Sequence, residues 1–240
     1  MSKATNKSYH TLIKSQVVCR AMVEVLDALK NQIRQTLAEN LVAMFLTGSR
    51  VRGEETEGSD YDIAIIVSRV DEGTILGLRA VFADRRGYSV YLLDKNDLKT
   101  MPKPMLLQFV HSEKLYGDLD YPLPSGQEIQ DYINIVRRDW LDRIRHYLIL
   151  PHPHEKPASA LLPALKSVYL CLSCLVYKDT GNLPLTRNET VSLIEKQKSG
   201  SLGVNLMRIL GNWDSCHEQY MQDPLPLLLQ IETFFRTLQV

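Results

Sequence analysis

The sequence predicts an α+β protein in which a small β-sheet flanked by helices is followed by an all-α helical bundle domain. Two apolar runs of strand length, residues 41–46 and 63–67, are joined by a polar loop bounded by Gly and Ser. Residues 9–40 carry apolar side chains at helical spacing with no Gly or Pro, which predicts an amphipathic helix on one face of the sheet. The chain beyond residue 126 shows helical spacing throughout.

Shorter elements complete the first half of the chain. We expect Asp71 to cap a short helix that ends near Gly87, and residues 88–93 to form a third strand. The predicted division of the chain is a first domain over residues 1–117, a Pro-containing linker over residues 118–126 and a helical domain over residues 127–240.

Two capping-box patterns start helices in the second half, Ser125 with Glu128 and Thr186 with Glu189. The most apolar stretch, residues 158–180, is expected to be the central helix of this domain. The helix after Ser125 carries four arginines that we interpret as a solvated helix face: Arg137, Arg138, Arg143 and Arg145.

The length and net charge of the chain limit the classes of partner that we expect. The 240 residues suffice for one large or two small domains, and 28 Lys and Arg balance 28 Asp and Glu. A zero net charge gives no overall basic field, so we expect no DNA partner. Residues 1–8 are polar and no run approaches membrane-spanning length, so we expect no membrane partner and a reducing, cytoplasmic location. A homodimer is left open.

The cysteines and histidines show no spacing typical of a metal site. Cys171 and Cys174 have the spacing of a redox pair, but they lie within a helical pattern, so we interpret them as two small core residues on one helix face. His152 and His154 lie in a Pro-rich loop, and we assign them no ligand role. The remaining cysteines, Cys19 and Cys216, lie in apolar, helical contexts.

The candidate binding and catalytic residues lie at the ends of the first two strands. Gly48 lets a ligand approach the backbone, and Ser49 offers a hydroxyl and an N–H to a phosphate. Asp60 and Asp62 open the second strand two residues apart, so their carboxylates are expected on one face, with Tyr61 on the other. Two carboxylates together with substrate phosphates suit Mg²⁺. The pattern therefore predicts a site for magnesium and a nucleoside triphosphate.

The motif G-S-x10-D-x-D resembles the signature of the polymerase-beta-like nucleotidyltransferase superfamily. Residues 48–53, Gly-Ser-Arg-Val-Arg-Gly, are similar to its G-S-x-A-R-G variant, with Val51 in place of Ala. That variant marks the branch of minimal and aminoglycoside nucleotidyltransferases. The resemblance implies a mixed sheet, and it implies Mg²⁺-dependent transfer from ATP or another triphosphate.

The third strand departs from this family, whose members typically carry an Asp or Glu there. The register of the predicted third strand, Val90-Tyr91-Leu92-Leu93, places Tyr91 at that position. A phenol with a pKa near 10 is a poor magnesium ligand and a poor base at neutral pH. Either two carboxylates and water hold the metal, or Asp94 or a loop acid replaces the third, or nucleotide binds without efficient turnover. The loop acids are Glu54, Glu55 and Glu57.

Three basic residues are candidates for contacts with the nucleotide. Arg52 could stabilise its loop or donate to a phosphate in bidentate fashion. Arg187 precedes a capped helix at a position similar to the basic residue that the helical domain of aminoglycoside adenylyltransferases supplies to phosphates. Lys166, on the central helix, is a second phosphate candidate, with an ordinary surface lysine as the alternative.

These features predict a Mg²⁺-dependent enzyme that transfers a nucleoside monophosphate, AMP from ATP, to a hydroxyl of a small-molecule acceptor bound between the domains. The acceptor could be an aminoglycoside-like antibiotic. The alternative is a catalytically weakened nucleotide-binding regulator or a protein-modifying, AMPylating antitoxin-like protein. A third reading, a helical interaction module with a vestigial nucleotide half, is disfavoured because all four motif residues are present.

Overall fold

The computed structural model describes residues 24–56, 58–150, 155–197 and 202–239. The chain forms two compact units. The first unit contains the described residues up to Val51, then residues 55–100 and 112–120, and the second contains everything else. Two short segments, Arg52–Glu54 and Met101–His111, therefore belong to the second unit although they precede the predicted linker. The helix expected before residue 24, Cys19 and the two loop histidines, His152 and His154, lie outside the described residues.

The first unit is built on a four-stranded mixed sheet with the strand order β3-β2-β1-β4. Strand β1 is antiparallel to both β2 and β4, whereas β2 and β3 are parallel. The strands are β1 (Leu41–Thr47), β2 (Tyr61–Val67), β3 (Tyr88–Asp94) and β4 (Glu113–Tyr116). The helices are α1 (residues 24–37), α2 (Gly48–Val51), α3 (Glu72–Phe82) and α4 (Lys95–Thr100), with a 3-10 turn at Ala38–Asn40.

Helix α1 covers one face of this sheet, as the helical spacing predicts. Leu29 and Ile33 of α1 are buried in one apolar cluster with Met44 of β1 and with Ile63 and Ile65 of β2. Parallel strands cannot be joined by a tight turn, and α3 supplies the crossover from β2 to β3. The predicted cap of α3 is confirmed, because Asp71 accepts a 2.8 Å hydrogen bond from the Thr74 N–H.

The second unit is helical and centred on α6. Its helices are α5 (Gly126–Ile149), α6 (Glu155–Thr180), α7 (Arg187–Gln197), α8 (Leu202–Gly211), α9 (Trp213–Gln222) and α10 (Leu225–Thr237), with a 3-10 segment at Lys103–Phe109. The capping box of α5 is present: the Ser125 N–H donates to Glu128, and the Glu128 N–H donates to Ser125. An α+β fold with a mixed sheet and a C-terminal helical region is thus confirmed.

Helix α6 corrects one expectation from the sequence. Within Lys156–Thr180, an 18-residue window has a mean hydropathy of 1.7, so by length and composition alone this helix could cross a membrane. The prediction that no run approaches membrane-spanning length is wrong for this segment. In the protein, 56% of the apolar window is buried, and α6 packs against α5, α7, α8 and α10. Its apolar character therefore serves the core of the second unit.

The cysteine pair on α6 is a core feature. Cys171 and Cys174 are both buried. Burial raises the pKa of the Cys171 thiol and raises that of Cys174 to about 12. Because the thiolate is the reactive form, these groups are inert at neutral pH. The interpretation as two small core residues is confirmed.

The arginines of α5 are more than a solvated face. Arg137 donates from Nε to the Phe235 carbonyl at 2.6 Å and from Nη2 to the Arg236 carbonyl at 3.2 Å. Arg145 pairs with Glu232 at 2.9 Å. The two hydrogen bonds of Arg137 satisfy carbonyls in the last turn of α10, which have no partner within the helix. The expectation of a solvated face is wrong for Arg137, which is partly buried against the end of α10, whereas Arg145 stays exposed while it pairs with Glu232 of α10.

Candidate active site

The carboxylate of Asp62 lies against the backbone of Gly48. Thr47, the last residue of β1, is opposite Asp62 in the antiparallel ladder, so the turn after β1 starts beside this side chain. Gly48 has φ +79°, and a Cβ there would lie 1.9 Å from Oδ2 of Asp62 and 2.7 Å from its Cγ. No other residue fits at position 48 without moving Asp62. The strand pairing thus brings the glycine turn and one acid of the motif together.

Ser49 follows in α2, a single helical turn. The amide groups at the start of a helix have no carbonyl partner within it. Together with the Ser49 hydroxyl, they are donors of the type that phosphate oxygens accept. The turn therefore sets hydrogen-bond donors next to the Asp62 carboxylate.

Asp60 is exposed and directly precedes β2. Its backbone is fixed by Arg50, whose guanidinium donates to the carbonyls of Ser59 and Asp60 and lies 3.9 Å over the ring of Tyr61. Tyr61 stacks on Tyr88 at 5.3 Å and packs against the apolar cluster beneath α1. Arg50 was not among the predicted site residues. Its position inside the glycine-serine motif was the only available signal, since its partners are backbone carbonyls.

Tyr91 lies on the same sheet face as Asp62. In the parallel pair of β2 and β3, Asp62 is opposite Ser89 and Ala64 is opposite Tyr91. Partners in a parallel ladder share a face, so Tyr91 is displaced from Asp62 by about 7 Å along the strand. Burial, and secondarily the Asp97 carboxylate, raise the pKa of the Tyr91 phenol above its ordinary value. Tyr91 is therefore protonated at neutral pH and provides neither a base nor an anionic ligand.

Asp94 does not replace the missing acid. It is opposite Val67 at the far end of β2, five residues beyond the position of Asp62, which is about 16 Å along the strand. Its Oδ1 accepts from the N–H groups of Asn96 and Asp97 at 2.7 and 2.9 Å, and these hydrogen bonds lower the pKa of Asp94. Asp94 acts as the N-terminal cap of α4.

The loop acids differ from one another. Glu54 is paired with arginines, Glu55 is exposed, and Glu57 lies outside the described residues. Within the described ranges, no group of three or more His, Cys, Asp or Glu side chains is placed to hold a metal ion. The motif thus supplies two carboxylates, Asp62 on β2 and Asp60 directly before it. That set fits Mg²⁺, which commonly takes one or two protein carboxylates and completes its shell with water and phosphate.

The second unit holds a cluster of charge around Glu54. The carboxylate accepts from Nε of Arg52 at 3.0 Å and from the Arg187 backbone N–H, and it forms an ion pair with Nε of Arg187 at 3.3 Å. Arg187 also donates to the carbonyls of Glu54 and Leu210, each at 3.3 Å. The guanidinium of Arg52 lies 5.9 Å from the ring centre of Tyr169 on α6. Among the described residues, the hydrogen bonds of Arg187, the predicted phosphate contact, therefore go to protein groups.

Lys166 is exposed on α6, and no ion pair of it is found in the described part of the chain. It precedes Tyr169 by three residues, and residues with this spacing are neighbours on a helix surface. Lys166 is therefore on the part of α6 that carries Tyr169.

Comparison with known families decides what the first unit is. Residues 31–116 match the family described as Polymerase beta, Nucleotidyltransferase. This segment includes the glycine-serine turn, both motif acids and Tyr91. The first unit is a polymerase beta nucleotidyltransferase domain.

Solved structures extend the likeness to the second unit. The structure of spectinomycin adenyltransferase AAD(9) from Enterococcus faecialis with ATP and spectinomycin aligns with a TM-score of 0.50 at 12% identity, covering 88% of this chain and 99% of that one. At this identity the likeness concerns the fold. A toxin-antitoxin structure with AMP-PNP aligns over 37% of this chain and 73% of that one, at 26% identity and a TM-score of 0.28. No curated protein matches the sequence significantly.

The predicted site residues fall into two groups. The nucleotidyltransferase domain brings Gly48 and Asp62 into contact, with Ser49 and Asp60 adjacent to them in the chain. The second unit contains the three basic candidates: Arg52, Arg187 and Lys166. Their roles as metal ligands and phosphate contacts stay predictions.

Proposed function

We propose that this protein is a Mg²⁺-dependent nucleotidyltransferase that moves AMP from ATP to a hydroxyl of a small-molecule acceptor, of the aminoglycoside-like class. The observation that carries the proposal is the Asp62 carboxylate packed against Gly48, within a segment that matches the nucleotidyltransferase family. The choice of ATP and of the acceptor class rests on the fold shared with an adenyltransferase that was crystallised with ATP and spectinomycin.

Asp60 and Asp62 would hold the magnesium ion, which when bound neutralises phosphate charge. Gly48 leaves room for the Asp62 carboxylate beside the turn, and Ser49 would donate to the triphosphate oxygens. The acceptor hydroxyl would attack the α-phosphorus in line, the bond from the α-phosphorus to the bridging oxygen would break, pyrophosphate would leave and the hydroxyl proton would be released to solvent. Because phosphoryl transfer depends on positioning and charge neutralisation, each Asp should be worth several orders of magnitude in rate.

The basic candidates for phosphate contacts lie in the second unit. Arg52, Arg187 and Lys166 carry three positive charges and Glu54 one negative charge, which leaves a net charge of +2 on this set. A net positive set of Arg and Lys side chains suits phosphate oxygens. A position of the acceptor between the two domains, a homodimer, a cytoplasmic location and the lack of DNA and membrane partners stay predictions.

Tyr91 favours a second candidate. The face of β3 next to Asp62 carries a protonated phenol where related enzymes carry an acid, and Asp94 and Glu54 are engaged elsewhere. Such a site can bind nucleotide and turn it over slowly. The second candidate is therefore a nucleotide-binding regulator, or a protein-modifying, AMPylating protein, with weakened catalysis.

The discriminating experiment is incubation with Mg²⁺ and ATP labelled at the α-phosphate, together with a panel of aminoglycosides, spectinomycin and a cell extract. The proposal predicts label on a small molecule and its loss in Asp60→Ala and Asp62→Ala. Label on a protein, or nucleotide binding without transfer, would select the second candidate. Transfer that survives both substitutions would rule out the proposed mechanism.

A further inference from the structure

The two motif acids are held by different parts of the first unit. Asp62 is fixed by the sheet: the Thr47 hydroxyl donates to its carbonyl at 3.3 Å, and its carboxylate lies against Gly48. Asp60 is exposed and lies outside both ladders of β2, one residue before the strand begins. A metal ligand outside the sheet needs another support if its carboxylate is to keep one geometry.

Arg50 of α2 provides that support. Its Nη2 donates to the Ser59 carbonyl, and its Nε donates to the Asp60 carbonyl at 3.3 Å. A guanidinium presents its donors in a rigid planar fork, so bonds to two successive carbonyls fix the direction in which the chain enters β2. Arg50 directly follows Ser49, so the turn that offers donors to phosphate also fixes the backbone of the exposed acid.

The guanidinium of Arg50 is itself held by a stack of aromatic rings. It lies 3.9 Å from the ring centre of Tyr61, which stacks on Tyr88 at 5.3 Å, and Tyr88 lies 5.9 Å from Phe82 of α3. By strand alternation, the Tyr61 ring is on the sheet face opposite the two motif acids. The guanidinium stacked on this ring therefore holds the start of the strand and is turned away from the metal side.

We propose that Arg50 is a positioning residue for magnesium: by holding the backbone before β2, it keeps the Asp60 carboxylate on the same side as that of Asp62. The inference rests on the proposed function, in which these two acids bind the metal. Every residue in the argument belongs to the first unit. Loss of the Arg50 side chain should therefore weaken magnesium binding although both carboxylates are still present.

A role for Arg50 through its charge alone is the alternative, since a cation near the turn would attract a triphosphate. Arg50→Lys separates the two roles. Lysine keeps the positive charge, but it lacks the planar fork and the flat surface that stacks on Tyr61. Positioning predicts that the lysine variant behaves like Arg50→Gln, whereas a pure charge effect predicts that it behaves like the wild type.

The test is the magnesium concentration that gives half-maximal ATP binding, measured by calorimetry on the full chain. Positioning predicts that this concentration rises about tenfold in Arg50→Gln and in Arg50→Lys, from the loss of charge-assisted hydrogen bonds. Arg85→Gln is the matched control. Arg85 also belongs to the first unit and donates to a carbonyl, that of Val81, at 3.1 Å, but neither residue belongs to the motif. Its replacement should leave the magnesium concentration unchanged.

Hydrogen exchange of the metal-free chain gives a readout that does not depend on activity. The Tyr61 N–H donates to the Gly87 carbonyl at 2.8 Å at the very start of β2, whereas Ile65 lies in the middle of the strand. Arg50→Gln should accelerate exchange of the Tyr61 amide and leave that of Ile65 unchanged, because only the start of the strand loses its support.

Four results would each overturn the inference and leave the proposed function in place: no change in the Arg50 variants, wild-type behaviour of Arg50→Lys, an equal rise in Arg85→Gln, or unchanged exchange at Tyr61. If the wild-type chain binds no ATP in the presence of magnesium, the proposed function and this inference both fall. Should thermal melting show that the Arg50 variants do not fold, Tyr61→Leu replaces them. That variant removes the ring beneath the guanidinium and should also raise the magnesium concentration required.

Discussion

At the scale of single residues, Gly48 and Asp62 constrain each other. A left-handed backbone at Gly48 turns the chain so that its Cα faces the Asp62 carboxylate, and no side chain fits between them. The motif spacing was sufficient to predict Gly48, Ser49 and both acids, because local pattern and strand alternation determine where they lie. Arg50 could not be predicted, since it binds backbone carbonyls that leave no trace in residue type.

Gly48→Ala should abolish ATP binding. It should also lower the free energy of unfolding by more than Gly87→Ala does. Gly48 and Gly87 have φ of +79° and +74°, but a Cβ at Gly87 would meet nothing within 4 Å. Both alanines incur the left-handed penalty of about 1–2 kcal/mol, and only Gly48→Ala also collides with Asp62. Urea unfolding and ATP titration of the two variants measure the difference. Equal losses in both would contradict the close contact.

Tyr91 offers a gain-of-function prediction. Tyr91→Phe should leave transfer activity unchanged, because the phenol is protonated and not a ligand. Tyr91→Asp places a carboxylate on the face of Asp62 at an exposed position, 38% accessible, and should raise kcat about tenfold or more. Initial rates at saturating ATP measure this. A loss of activity in Tyr91→Phe would show that the hydroxyl takes part.

At the scale of elements, the strands, the α3 cap and the α5 capping box could be predicted from periodicity and from residues within three positions of one another. Contacts between distant helices could not. Arg137 binds carbonyls about 98 positions away in sequence, at the end of α10. An arginine on an amphipathic helix gives no sign of such a partner.

Arg137→Met should lower the free energy of unfolding by about 1–2 kcal/mol, because α10 loses the donors to its last carbonyls. Arg138→Met, the neighbouring exposed arginine, should change it by less than about 0.5 kcal/mol. Urea denaturation of the two variants makes the comparison. If both lose the same amount, the contribution comes from overall charge rather than from the hydrogen bonds of Arg137.

The start of α5 should contribute a pH-dependent part of the stability. The hydrogen bond from Lys103, with those from Ser125, lowers the pKa of Glu128 from its ordinary 4.5 to about 2. A lowered pKa means that the ionised form stabilises the folded state above about pH 5, and that this stabilisation is lost as the pH falls towards 2. Thermal melts of Glu128→Gln should therefore show a smaller decline over this range than the wild type. An identical decline would contradict the role of Glu128.

At the scale of the whole molecule, the chain combines a nucleotidyltransferase domain with a helical unit. The sequence predicted the order of these parts, because strand and helix periodicities change along the chain. It could not predict that Arg52–Glu54 and Met101–His111 belong to the second unit, since such membership depends on long-range packing. Leu107 is buried in the core of the second unit, and His111 bonds to the Leu183 carbonyl at 2.8 Å.

The most direct test of the central claim is calorimetric titration of the full chain with ATP in the presence and absence of Mg²⁺, repeated with Asp60→Asn and Asp62→Asn. The account predicts magnesium-dependent binding by the wild type and its loss in both variants, with melting temperatures retained. Binding that needs no magnesium, or that both asparagine variants retain, would contradict it.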